Sequence, residues 1–125
     1  MNGTDKQIEF ANTIINGLAA INPAQPAIID LSTLADGDAQ AKAHHSNSIE
    51  KTRHADEVAS MHAAKVLQII ASEGLDKAAE YADSLSDKQA EYMSKVMGCM
   101  NGNTLDAGRV IDQMKTLFYR HCGES

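Results

Sequence analysis

The chain has 125 residues, 11 Lys and Arg against 17 Asp and Glu, a net charge of −6 and no Trp. That length suits one ordinary domain, and the acidic balance disfavours non-specific attraction to phosphate backbones or anionic lipid. No run of about 18 apolar residues is present to span a membrane, and the N-terminus lacks the basic-then-apolar pattern of a signal peptide, so a single cytoplasmic domain is expected.

Leu, Ile, Val and Phe together make only 24 of the 125 residues, and alanine with six Met fills the apolar balance. Small side chains and strong helix formers favour closely packed helices over sheets. The first helix is predicted over about 5–21. Thr4 and Gln7 form a capping box, and Ile8, Ala11, Ile15 and Leu18 recur at helical spacing until Asn22-Pro23. Pro26 is placed to open a short helix over 27–35, broken at Asp36-Gly37. Residues 36–47 lack a large apolar anchor and read as a mobile loop, with extension of the next helix as the alternative. Asn47 and Glu50 then suggest the cap of a long helix over 48–73, stopped by Gly74. Helices over 77–84, 87–100 and 105–121 follow, introduced by Asp76, by Ser86 with Gln89, and by Asn103 or Thr104. No segment alternates apolar and polar residues with a period of two. The expected fold class is therefore all-α, a compact bundle of five or six helices with no sheet.

Thr4 to Phe10 and Ser86 to Tyr92 match at nearly every position, although capping boxes recur for local reasons and two similar starts do not make a repeat architecture. Ser86-Asp87-Lys88-Gln89 to Tyr92, then Thr104-Leu105-Asp106-Ala107 and Val110 to Lys115, resemble a small Lys-Gln helix-loop-helix module of bacterial and phage proteins. The likeness covers residues 86–118 and departs at Gly108-Arg109, where the module usually has a small hydroxyl residue. It implies an accessory piece of proteins of DNA replication, recombination or mobile elements, and it carries no catalytic residues over.

Glu50, His54 and Glu57 stand at i, i+4 and i+7 on one helix face and could supply part of a metal site, but no second Glu-x-x-His pair completes it. An exposed charged pair is the simpler reading. His62 falls among Val58, Met61, Val66 and Ile69 and is expected in the core with its ring hydrogen-bonded. His44 and His45 have no Cys at zinc spacing, and His121 suits the carbonyl end of its helix. Cys99 and Cys122 read as reduced thiols, a bridge between them requiring antiparallel last helices. Gly-rich phosphate loops, nucleophile elbows and paired Cys-x-x-Cys are absent from the sequence, so no catalytic, cofactor or metal residue is assigned. Met93, Met97 and Met100 beside Val96 read first as core, packed against the apolar face of the last helix. A soft binding surface is the alternative.

These readings lead to a non-enzymatic protein-binding modulator, an inhibitor carried by a phage or mobile element and directed at host machinery, anti-CRISPR-like in class. Its partner is expected to be a protein with a basic surface, met by Asp30, Asp36, Asp38, Glu50 and Glu57. The runner-up is a nucleic-acid-associated accessory domain using Lys88, Lys95, Arg109, Lys115 and Arg120, whose interspersed acids argue against a phosphate footprint. A metal-binding helical bundle ranks third, and homo-oligomerisation stays open.

Overall fold

The computed structural model describes residues 1–23, 25–85 and 91–122. Five α-helices are present among them: α1 (Asp5–Ala19), α2 (Gly37–Glu73), α3 (Leu75–Asp83), α4 (Glu91–Gly98) and α5 (Ala107–His121). Two compact units divide the chain, residues 1–21 with 59–125, and residues 22–58. Residues 37–58 of α2 belong to the second unit and its remainder to the first.

In the first unit the capping box forms as expected. The Thr4 hydroxyl accepts from the Gln7 amide at 3.2 Å, and the Gln7 side chain accepts from the Thr4 amide at 3.0 Å. The helix it starts buries Ala11, Ile14, Ile15 and Leu18, and α5 buries Ala107, Val110, Met114 and Leu117. These two stripes pack principally on each other, with α4 also against α5. The apolar face of α5 therefore meets α1 first, rather than the Met-bearing helix that was expected to cover it. Ala63, Ala64 and Leu67 of α2 join the same core at zero exposure.

The expectation of no sheet is corrected. Met100–Asn101 (β1) and Thr104–Leu105 (β2) pair antiparallel, Met100 opposite Leu105, across a turn where Gly102 takes φ +68°. The Asn2 amide donates to the Leu105 carbonyl at 2.9 Å, and the Asn2 carbonyl accepts from the Ala107 amide at 2.7 Å. The chain start is thus tied beside the hairpin at the entrance to α5. Strands of two residues are too short to show an alternating pattern, so the sequence held no period to find. Asp106, not Asn103 or Thr104, stands at the N-cap position of α5, without a capping bond from its side chain. α4 ends at Gly98 rather than 100, and the predicted start at 87, with the Ser86 and Gln89 cap, lies outside the described residues.

At Gly74 the chain ends α2 and starts α3 without a loop. Its amide donates to the carbonyls of Ile69 and Ile70, and its φ of +96° with ψ 175° is a nearly glycine-only conformation that costs an L side chain about 1–3 kcal/mol. This Gly, and not Asp76, stands at the N-cap of α3.

The second unit corrects two further expectations. Residues 27–35 do not form an α-helix; apart from a 3-10 turn at Leu31–Thr33 they run without regular structure. Of the segment 36–47, residues 37–47 are helix rather than loop, because α2 begins at Gly37. Asp36 opens it by accepting the Asp38 amide at 3.1 Å, and the many alanines propagate it at low entropic cost. Asn47 is therefore inside the helix instead of capping it, and its side chain is released for another task. The Ala27 amide donates to the Glu50 carboxylate at 3.4 Å, and the Ile29 backbone bonds Asn47 on both sides. The Gln40 carboxamide donates to the Leu34 carbonyl at 2.6 Å. Pairings of 27 with 50, 29 with 47 and 34 with 40 lay the segment antiparallel along the helix.

Candidate functional site

Each acidic residue singled out in the sequence has a local structural task. Asp30 accepts from the Ser32 hydroxyl at 2.8 Å and from the Ser32 amide at 3.0 Å. These bonds hold its carboxyl below the usual range. Asp36 caps α2, and Asp38 lies exposed in the first turn, where a negative charge suits the helix dipole. Glu50 and Glu57 both hold Arg53, at 2.9 Å and 2.7 Å. The guanidinium, with the Ala27 amide, draws the Glu50 carboxyl down. A fixed cation between the two carboxylates opposes metal binding on the Glu50, His54 and Glu57 face. Among the described residues no group of three His, Cys, Asp or Glu side chains is arranged to hold a metal ion.

His62 is half-buried rather than in the core. Its Nδ1 lies 3.0 Å from the Tyr81 hydroxyl, and its ring is within reach of both Tyr81 and Tyr92, with centroids 6.2 Å and 6.3 Å away. Burial, and secondarily Lys65, keeps the imidazole below its ordinary pKa. The ring is hydrogen-bonded, as expected, and links α2 to α3. Cys99 and Cys122 are free thiols. Cys99 has no exposure, donates to the Lys95 carbonyl, and is pushed up to about 12 by burial. Cys122 donates to the Gly17 carbonyl at 3.4 Å.

The Met stripe, read first as core with a soft binding surface as the alternative, is divided by the structure. Met100 is buried, but Met93 is 37% and Met97 65% exposed, which corrects the expectation that all three are core. Successive helix positions differ by about 100°, so Met93, Val96 and Met97 share one flank of α4, with Val96 inward and the methionines toward the opening. On α3, Leu75, Ala78, Ala79 and Ala82 share a face by the same spacing, and Val66 and Ile70 of α2 form the floor. With Met100 and the hairpin turn at Gly102 and Asn103, they enclose an open apolar groove of about 220 Å³. The volume is below that of usual small-molecule pockets, roughly 300–1,000 Å³. Alanines on one wall and flexible methionines on the other give a surface that can accept and repack around inserted side chains.

A second, polar cleft of about 330 Å³ is lined by Asn12, Asn16, Gln68 and Ser72 with Ile15, Leu67 and Ala71. Its Gln68 carboxamide donates to Asn16 at 2.9 Å, and no titratable side chain lines it. No known protein family, curated protein or solved structure matches the chain.

Proposed function

We propose that this chain is a protein-binding modulator without chemistry of its own, an inhibitor of the class that phages and mobile elements direct at host defence machinery. The observation that carries the reading is the groove between α3 and α4, with Leu75, Met93 and Met97 left at 43%, 37% and 65% exposure around it. Large apolar side chains gathered at an opening, and not scattered singly, mark an interaction surface. The net charge of −6 favours a partner with a basic surface, steered by acidic side chains that include Asp30, Asp36 and Asp38. Charge pairing of Arg109 with Asp106 at 3.7 Å weakens the runner-up reading of a phosphate-binding C-terminal helix.

Affinity capture from cells of the native host, using the wild-type chain and Leu75→Lys/Met97→Lys, tests the proposal. A protein retained by the wild type and lost from the variant is expected. Capture of no protein, together with micromolar DNA binding at physiological salt that removal of Arg109, Lys115 and Arg120 abolishes, would reverse it.

A further inference from the structure

We infer that the groove receives a basic amphipathic helix of the partner protein. This rests on the protein-binding reading and specifies the partner's chemistry. On α3 the groove-facing positions are Leu75, Ala78, Ala79 and Ala82. Asp76, Glu80 and Asp83 follow at i, i+4 and i+7, so they form a second stripe of one charge, displaced from Leu75 and Ala79 by one residue or about 100°. All three are exposed. An acidic rail therefore runs along α3 beside the apolar wall that this helix gives to the groove. Lys77, the cation of α3, reaches Glu80 at 3.4 Å, but both side chains are well exposed, and such a pair yields readily to a competing cation. Across the groove, α4 contributes Met93, Val96 and Met97 to its lining.

The occupant that complements an apolar trough with one acidic edge is a helix with apolar residues at i, i+3 or i+4 and i+7, and Lys or Arg on the flank beside them. α3 is nine residues long, about 13 Å at helical rise, which sets the contact at two to three turns of the incoming helix. Strand addition is disfavoured, since β1 and β2 are two residues each, and main-chain pairing needs a longer edge.

The test uses the whole protein with its methionine methyls isotopically labelled, titrated at physiological salt with a synthetic Leu/Lys amphipathic helix and with its Leu/Glu counterpart. The Leu/Lys peptide should bind and shift the methyl signals of Met93 and Met97 ahead of that of Met1. Binding should weaken at least about tenfold in Met97→Lys, a substitution at an exposed position that keeps the fold. It should weaken by about the same factor, with a flatter salt dependence, in Asp76→Asn/Glu80→Gln/Asp83→Asn. The same charge removed in Asp5→Asn/Glu9→Gln/Asp112→Asn should change it less than about twofold. Circular dichroism melts show whether each variant is folded. Equal binding of the Leu/Glu peptide, binding that survives Met97→Lys, or a concentration-dependent dimer that Met97→Lys dissolves would each overturn the inference. If the native partner is captured equally well by wild type and Met97→Lys, the groove assignment fails while the protein-binding reading stands. Capture of no partner, together with DNA binding that removal of Arg109, Lys115 and Arg120 abolishes, removes that reading itself.

Discussion

The Asn47 carboxamide clasps the backbone of Ile29 from both sides, its oxygen accepting the Ile29 amide proton at 2.8 Å and its nitrogen donating to the Ile29 carbonyl at 3.0 Å. Asn47 is 7% exposed, so these bonds satisfy a buried amide and at the same time fix an extended segment that has no ladder of its own. Asn47→Ala should lower stability by about 1–2 kcal/mol, the usual worth of two such bonds less the solvation regained at half-exposed Ile29. Hydrogen exchange at the Ile29 amide should accelerate far more than at Ile14. Asn47→Asp should not rescue it, because a carboxylate oxygen then faces the Ile29 carbonyl. Unchanged exchange at Ile29 would show that the segment is held by other contacts.

His62 makes stability depend on pH. Its folded pKa lies below the ordinary value of 6.5, chiefly through burial. The unfolded chain therefore binds more protons between the two values, and stability rises with pH across that window. The contribution is fully present above 6.5 and is lost as pH falls through the folded value. Urea midpoints measured from pH 7.5 down to 5 should decline, and His62→Gln should flatten that decline. A ring titration by NMR with a midpoint at or above 6.5 would contradict the burial argument.

Gly17 and Gly98 should respond oppositely to alanine. A Cβ on Gly17 would come within 2.6 Å of the Phe118 ring, where α1 meets α5. Gly17→Ala should cost about 1–3 kcal/mol as overpacking, partly restored by Phe118→Leu. A Cβ on Gly98 would meet the end of the flexible Gln113 side chain, which can move aside. Gly98→Ala should be neutral or stabilising by up to about 1 kcal/mol through helix propensity. Thermal melts of the three variants separate the two cases.

The thiols should differ in reactivity. Cys99, without exposure and pushed up to about 12, should resist a thiol reagent at pH 8 until the chain unfolds, because the thiolate is the reacting species. Cys122 is less buried and its thiol is raised by burial to a smaller extent, so it should label first in the native protein. Equal rates at the two positions would mean that the core around Cys99 opens readily.

The sequence by itself determined the features whose causes lie within a few residues. The Thr4 and Gln7 capping box, the stop at Gly74 and the buried stripe Ala11, Ile15 and Leu18 follow from helical periodicity and cap chemistry, which operate over one or two turns. The helix expected after Pro26 failed for a long-range reason: the amides of Ala27 and Ile29 are bonded 23 and 18 residues away, by Glu50 and Asn47, an alternative that propensity cannot see. Asn47 itself shows the same limit, since an Asn followed by Glu three positions later has the same spelling whether it caps a helix or sits inside one. The Met stripe was legible as a stripe, but spacing places three side chains on a helix flank without saying what covers them. The tertiary structure decided that α5 packs first on α1, where Gly17 allows Phe118 to approach, and that Met93 and Met97 face an open groove beside α3.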